Sequence, residues 1–363
     1  MKLREYQEKI AVQAACKLAS FGCCYLSMEC RTGKTITALH AADAFKAQSV
    51  LFISKLKAIP SVRTDYEALK PSFKMEAVNY ESVHKVFGKY DLIIIDEAHA
   101  LGAYPKPSKR TLEIKRICDG LPVLYLSGTP SPESYSQLYH QFWVCSFSPW
   151  KEYKTFYKWA KEYVAVRQKK VNGYLVNDYS HADKFKIDRD TEKLFIPYSQ
   201  KEAGFEIDIH ETVLEVPMKQ ITRHLIHTLR TNLVTEIDGN AVLGDSPAKL
   251  LTKLHQLSSG TVIAENGLHL TFDGSKSEFV RKHFAGKKIA LFYVYQSEAE
   301  LLQSVFQNWT DSPEVFQASP DKVFISQVRR AREGVRLDTA DALIFFNLEF
   351  SYLSYEQGRN RLV

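Results

Sequence analysis

Long apolar runs are missing from this chain. No stretch of its 363 residues approaches the length of a membrane span, and the opening MKLREYQEKI lacks the apolar core of a signal peptide. Internal repeats and low-complexity tracts are missing as well, which argues against a repeat array or a linker-rich chain. Cysteine is scarce. Cys16, Cys23, Cys24, Cys30, Cys118 and Cys145 show no paired C-x-x-C spacing, so no zinc site is expected. They read as reduced thiols of a cytoplasmic protein. What is present is ordinary globular composition: 45% hydrophobic and 25% charged residues, with length for about two domains. The 48 Lys and Arg against 42 Asp and Glu leave a net charge of +6 and an isoelectric point near 8.8. That balance permits a polyanionic partner without requiring one.

Over residues 1–145, short apolar runs alternate with helical stretches, the pattern of a parallel α/β fold. GCCYLSM (22–28), SVLFIS (49–54), DLIIID (91–96) and PVLYLSG (122–128) predict strands. Each is continuous rather than alternating, as a sheet covered on both faces requires. From about 146 the character changes. SPWKEYKTFYKWAKEY predicts an amphipathic helix, with Tyr153, Phe156, Ala160 and Tyr163 on one face and Lys151, Lys154, Lys158 and Lys161 on another. QKKVNGYLVND carries the Asn-Gly signal of a two-residue hairpin. A helix is expected over about 217–236 and another from Ser246-Pro247 to Gly260. A second Asn-Gly hairpin in VIAENGLHLTF and a capping box in SKSE (275–278) come next. KIALFYV (288–294), KVFISQ (322–327) and ALIFFN (342–347) return to the strand pattern. The expected organisation is two parallel-sheet α/β lobes, 1–145 and 236–363, separated by a basic, aromatic helix-and-hairpin insertion over 146–235.

Two short stretches carry chemistry. MECRTGKT (28–35) lies between a strand and a helix. It departs from the pattern G-x-x-x-x-G-K-[ST], because Met28 stands at the first glycine. Gly33-Lys34-Thr35 remains, at a turn where backbone N–H groups and a helix N-terminus converge on anionic oxygens. Lys34 would reach the β- and γ-phosphates of a nucleotide and the Thr35 hydroxyl would ligate Mg²⁺. A chance G-K-T at an ordinary turn is the bland alternative, and the strand–loop–helix context weakens it. The second stretch, DLIIIDEAHA, puts Asp96 and Glu97 at the end of an apolar strand, where a parallel sheet faces its ligand crevice. Asp96 would hold Mg²⁺, and Glu97 would orient and deprotonate an attacking water. A solvated strand end is the alternative there.

At this point a resemblance enters. Asp96-Glu97-Ala98-His99 is similar to the second motif of the superfamily 2 DEAH-type helicases and translocases, and the resemblance covers nearly the whole chain. LREYQ (3–7) resembles the adenine-reading motif, with Gln7 as the base contact. MECRTGKT is similar to the first motif, so Arg31, Thr32, Gly33, Lys34 and Thr35 are implied in nucleotide binding. LSGTP (126–130) looks like the third motif, VNYESV (78–83) sits where a DNA-contacting motif is expected, and EGVRLDTADALIFFN resembles the fifth, with Gly334, Leu337 and Ala340 matching. The resemblance implies two RecA-like lobes with ATP and Mg²⁺ between them, and Lys55, Tyr80, Thr129, Ser326 and Arg329 along DNA. The stretch after LSGTP resembles the SNF2-like branch and its phage-encoded relatives, among them branch-migration helicases; a phage-encoded protein would work in the host-cell cytoplasm.

Two departures matter. Arg329, Arg330 and Arg332 crowd the fifth motif, where the family has small residues. Extra phosphate contacts, a different loop path and a solvated basic loop are all open. The sixth motif has a Gln, an Arg four residues on and a second Arg three beyond. Gln357 and Arg361 take the first two positions, the third would be residue 364, and Arg359 is off the spacing. The expectation is a second lobe cut short from a longer protein; the alternative is a complete one in which Arg359 or Arg361 suffices.

The lysine stripe of 151–161, with Lys169 and Lys170 approaching the hairpin, offers the charge that phosphate-backbone tracking needs. A solvated helix face explains the stripe equally well, and the aromatic face reads as packing. The expected protein is a monomeric ATP-dependent DNA translocase or helicase on duplex, forked or four-way-junction DNA, with no membrane association. An RNA helicase of the same superfamily and a non-hydrolysing ATP-gated clamp are the rivals. No nuclease carboxylate cluster stands out, so DNA cleavage is not expected.

Overall fold

Each apolar run of the first 145 residues becomes a strand of one parallel sheet. The computed structural model describes residues 3–171, 174–204, 210–331, 335 and 337–362. The chain divides into two compact units, Met1–Glu206 and Ile207–Val363. In the first, β1 (Cys23–Met28), β2 (Ser49–Ser54), β3 (Lys74–Asn79), β4 (Leu92–Asp96) and β5 (Val123–Leu126) are followed by the exposed hairpin β6 (Arg167–Val171) and β7 (Tyr174–Asp178), and then by β8 (Phe195–Tyr198). The main sheet has the order β3-β2-β4-β5-β1-β8, and all its pairings are parallel. The central strands β4 and β5 are buried at every residue. Period-2 alternation sends Cys23 and Tyr25 to one face and Cys24 and Leu26 to the other. On the second face pack the helices Glu5–Phe21 and Lys34–Ala44, through Ile10, Ala14, Leu18, Ala38 and Leu39.

The first face is covered largely by residues beyond 135. The helix predicted over SPWKEYKTFYKWAKEY is confined to Phe156–Tyr163, because Thr155 caps it by accepting from the Lys158 amide. The preceding segment turns instead, and Trp150 is buried within the same core cluster. Phe156, Trp159, Ala160 and Tyr163 join Tyr139 and Phe142 in that cluster, with the Trp159 and Tyr163 rings stacked 5.1 Å apart. The aromatic face is therefore packing, and Lys151, Lys154, Lys158 and Lys161 remain exposed. β6 and β7 pair with Val171 opposite Tyr174. Asn172 and Gly173, the expected turn, lie outside the described residues. β8, which the sequence pattern does not announce, returns to the sheet beside β1, so the described residues up to 204 belong with the first unit.

The second unit opens with two small hairpins. These are β9 (Val234–Ile237) with β10 (Asn240–Leu243), and β11 (Thr261–Ile263) with β12 (His269–Thr271). Its sheet has β13 (Ile289–Tyr293), β14 (Trp309–Thr310), β15 (Val323–Gln327) and β16 (Ala342–Phe345), all parallel in the order β14-β15-β13-β16. The expected helices appear as Gln220–Asn232 and Pro247–Leu257, the latter capped by the Ser246 hydroxyl. The capping box predicted at 275–278 is absent: the helix Ser275–His283 has Gly274 as its N-cap. The Asp273 carboxylate accepts from the Ser275 amide (2.9 Å) and does that work one residue upstream. The architecture is thus the expected α/β one, with a parallel sheet in each lobe. Among the described residues no helix is long and apolar enough to cross a membrane.

Candidate functional site

In the first sheet, Leu26 of β1 pairs with Leu126 of β5, and Leu126 pairs with Asp96 of β4. The three motif-bearing loops therefore leave the sheet at one level, at the carboxyl ends of neighbouring strands, where parallel sheets bind ligands. The loop after β1 curls back on itself. Arg31 (φ 64°) and Gly33 (φ 80°) adopt left-handed conformations. Gly33 has a second reason to be glycine, because a Cβ there would fall 2.3 Å from Gln7 Nε2. The curl turns the Glu29 carbonyl inward, where it accepts from Thr32 Oγ1 (2.8 Å) and Lys34 Nζ (3.2 Å). From the other side the Thr32 carbonyl accepts from Tyr6 Oη (2.9 Å) and Gln7 Nε2 (3.4 Å). Gln7 is buried, and its Oε1 accepts from the Arg4 amide (2.9 Å). The helix Lys34–Ala44 starts without a side-chain cap, so the first-turn amides, those of Lys34 and Thr35 among them, lack intrahelical acceptors. Lys34 and Thr35 are half-buried. Amides so placed at a helix N-terminus are free to meet anionic oxygens.

Asp96 is buried. Its Oδ2 accepts from Ser54 Oγ (2.6 Å) and its Oδ1 from the Glu97 amide (3.0 Å). Glu97 takes a left-handed conformation (φ 51°), which breaks the strand and swings its side chain toward His99, with Oε2 3.3 Å from Nδ1. The same His99 nitrogen lies 2.9 Å from Ser127 Oγ, which also accepts from the Thr129 amide (3.1 Å). A chain of contacts thus joins the carboxylate turn to the LSGTP loop. Burial and the neighbouring Glu97 charge push the Asp96 carboxyl up to about 6, against the Ser54 hydrogen bond and the Lys34 charge. Excess negative charge on hard oxygen donors, with the Thr35 hydroxyl on the opposing loop, fits a magnesium ion. Among the described residues no group of three or more His, Cys, Asp or Glu could hold a metal alone.

The remaining predicted residues are dispersed. Lys55 is half-buried just after β2. Tyr80 is only 4% exposed; its hydroxyl donates to the carbonyls of Asp96 (2.6 Å) and Glu97 (3.4 Å), so it props the carboxylate turn. Lys169 and Lys170 are exposed on β6, Lys169 paired with Asp178 at 3.2 Å. In the second unit Ser326 is buried in β15 and Arg329 pairs with Glu349. Gly334 and Arg332 lie outside the described residues. Gln357 is buried in the helix Tyr352–Arg359, and its Oε1 has no hydrogen-bond partner among the described residues. Arg359 is held by Glu211 (2.7 Å) and Glu356 (3.3 Å). Arg361 is half-buried, and its carbonyl accepts from the Leu337 amide (3.1 Å). Gly358 lets this helix sit against β16, since a Cβ there would lie 3.0 Å from the Phe345 ring.

Sequence reasoning missed Glu29, Ser54 and Gln200, which shape the loop or the carboxylates. Glu29 sits inside MECRTGKT and was open to notice; Ser54 and Gln200 join the site only through strand pairing.

No family model matches this chain, and no curated protein matches it. Among solved structures the chain is similar to the crystal structure of the Pyrococcus furiosus Hef helicase domain. The identity is 14% and the TM-score 0.49, over 99% of this chain and 92% of that one. A likeness of that depth assigns no role to any residue.

Proposed function

We propose that the chain is an ATP-dependent nucleic-acid translocase or helicase of the superfamily 2 DEAH type. One observation carries this: the Gly33-Lys34-Thr35 cradle and the Asp96-Glu97 turn leave one parallel sheet at the same level. In this reading Lys34 and the loop amides hold the β- and γ-phosphates. Thr35 and Asp96 hold Mg²⁺, which neutralises charge on the phosphate oxygens when bound. Glu97 accepts the proton of the attacking water, and His99 fixes the carboxylate that receives it. Gln7 sits against the cradle where it would read adenine. The second unit's share falls to Gln357, whose buried amide oxygen has an unmet demand, and to Arg361, with Gly334 in the fifth motif.

The partner proposed is DNA, duplex, forked or as a four-way junction, in recombination, repair or replication, in the manner of the SNF2-like and phage branch-migration enzymes. The protein would act as a monomer in the cytoplasm. Exposed Lys151, Lys154, Lys158 and Lys161, together with Lys169 and Lys170, support backbone contact. Lys55, Tyr80, Thr129, Ser326 and Arg329 are the further candidates along the strand, with buried Tyr80 and Ser326 acting on it through the loops they support.

Steady-state ATP hydrolysis, with Lys34→Ala as control, tests the reading. It is run without nucleic acid and then with single-stranded DNA, duplex, four-way junction and matched RNA. Lys34-dependent turnover stimulated by duplex or junction is the expected result. Stimulation by RNA alone would move the assignment to an RNA helicase, and nucleotide binding without turnover on any substrate would leave a clamp.

A further inference from the structure

β8 ends beside the phosphate loop, and the turn after β8 grips that loop. Tyr198 pairs with Met28, and the Glu29 amide extends the ladder by donating to the Tyr198 carbonyl (2.9 Å). Two residues later Gln200 makes two bonds to consecutive loop residues. Its backbone amide donates to Glu29 Oε2 (2.8 Å), and its side-chain Nε2 donates to the Cys30 carbonyl (2.9 Å). A compact turn fixes Gln200 in this posture. Glu202 Oε2 accepts from both the amide and the hydroxyl of Ser199 (2.7 Å each), and Tyr198 Oη donates to the Glu202 carbonyl (2.9 Å). Tyr198 in turn stacks on Tyr6 at 4.6 Å, and Tyr6 donates to the far end of the loop at the Thr32 carbonyl.

Glu29 is also the residue around which the cradle closes, since its carbonyl receives both Thr32 Oγ1 and Lys34 Nζ. Whatever fixes residues 29 and 30 therefore fixes where Lys34 begins its reach. A few residues after Gln200 the chain passes into the second unit. There Glu211 holds Arg359 (2.7 Å) and the Tyr355 hydroxyl (2.7 Å), both on the helix that carries Gln357.

We infer that Gln200 is a positioning residue for nucleotide turnover: the turn after β8 is clamped to the phosphate loop through Gln200 and Glu29, and that clamp sets where the loop holds Lys34. The inference takes the loop to be the nucleotide cradle proposed for it. It does not make Gln200 a catalytic residue, since it touches only the loop.

The test uses the full chain with Gln200→Ala, Glu29→Ala and the double variant. Two readouts are taken: backbone amide exchange over 29–33 without nucleotide, and ATP turnover with and without duplex DNA. Gln200→Ala should quicken exchange over 29–33 and raise KM for ATP about fivefold to tenfold, the size of one lost hydrogen bond to a half-buried carbonyl. The stimulation ratio should fall more than basal kcat. The double variant should cost less than the product of the singles, because both cut the same clamp. Unchanged exchange over 29–33 in Gln200→Ala would overturn the inference. So would a loss of thermal stability with a lower apparent kcat and an unchanged KM, since a smaller folded fraction at unaltered nucleotide affinity marks a merely structural residue. If the wild type shows no Lys34-dependent turnover, the ATPase proposal fails, and the exchange readout still decides whether Gln200 positions the loop.

Discussion

The two parallel sheets end differently. In the first unit the loop after β1 is held through its own backbone: the Glu29 and Thr32 carbonyls accept from Thr32, Tyr6 and Gln7, and Gly33 admits nothing larger. In the second, the cations after β15 and in the final helix are long side chains paired with carboxylates, Arg329 with Glu349 and Arg359 with Glu211 and Glu356. The contrast teaches that the first unit offers a preset cradle, whereas the second offers charges that must exchange partners before they can serve another anion. The partly exposed Arg359–Glu211 pair contributes little to stability, so exchanging it costs little.

The largest effects should separate the two halves of the proposed chemistry. Glu97→Gln should lower kcat for ATP hydrolysis about 10²–10⁴-fold while nucleotide binding persists, the range for removing a general base. Arg361→Ala should cost about 10³-fold or more if Arg361 is the finger. Quench-flow and nucleotide titration on both variants check this. Loss in Glu97→Gln with none in either Arg361→Ala or Arg359→Ala would break the comparison, because the second unit would then contribute no charge.

Gly33→Ala probes the preset cradle. The left-handed backbone and the approach to Gln7 together should cost about 2–3 kcal/mol in stability and nucleotide affinity. Gly120→Ala is the control, with a similar φ of 69° and nothing within 4 Å of its would-be Cβ; it should cost only the backbone strain, about 1 kcal/mol. Gln7→Ala in the Gly33→Ala background should recover part of the difference. Equal costs at the two glycines would mean that the cradle is not tight.

Acid should also divide the units. Burial holds His140 neutral and lowers its pKa to about 4, although its Nδ1 meets the Ala103 carbonyl at 2.6 Å. The folded value lies below the unfolded value of about 6.5, so the unfolded chain binds the proton first. The His140 contribution is complete above that pH and falls on acidification, by about 2 kcal/mol at pH 5 and about 3 at pH 4, while Asp96, raised to about 6, takes up a proton in the folded first unit and offsets about 1 kcal/mol of that loss at pH 5. In the second unit burial raises Asp273, but hydrogen bonds from Thr222 and Ser275 outweigh it and keep the carboxyl below its ordinary value. Its loss therefore begins only as pH falls below about 4. His255 shifts in the same direction as His140 but is only half-buried. Trp143, Trp150 and Trp159 lie in the first unit and Trp309 in the second. Tryptophan-detected urea unfolding of Trp309→Phe at pH 7 and pH 5 therefore tracks the first unit. His140→Gln should remove the histidine part of its pH dependence.

Much of this was legible in the chain. Continuous apolar runs such as DLIIID can be stable only in a doubly covered sheet, and they appear as central strands. Gly33-Lys34-Thr35 and Asp96-Glu97 were legible as candidates because both stand at carboxyl ends of apolar strands, and the structure brings those strand ends to one level. The rest was hidden for physical reasons. β8 is four residues long, carries Pro197 and sits at the sheet edge, so it lacks a strand's signature; Gln200 and the division at 206/207 depend on it. The expected cap at Ser275 gives way to Gly274 as N-cap, with the Asp273 carboxylate, two residues before Ser275, accepting from the Ser275 amide. Tyr80 reads as a surface contact in VNYESV, yet the loop turns it inward onto the Asp96 and Glu97 carbonyls, a consequence of long-range packing that no local pattern encodes.

The smallest expected effect bears most directly on the contrast between the sheets. Arg359 lies between Glu211 and Glu356, and the Arg359–Glu211 pair is 36% and 46% exposed. Removing Glu211 should therefore change stability by less than about 1 kcal/mol. Tyr355, which also donates to Glu211, should lose that bond without unfolding the helix, since Gly358 and the Phe345 ring hold it to the sheet. If Arg359 is a spare cation, Arg359→Ala and Glu211→Gln should both leave kcat within about threefold, a difference of under 1 kcal/mol. If instead Arg359→Ala abolishes turnover and Glu211→Gln accelerates it, Glu211 is restraining the arginine that matters. Arg361 would then be the bystander, and the second unit would be set by its carboxylates as firmly as the first is by its backbone. Urea unfolding of Glu211→Gln beside its steady-state kinetics decides between the two.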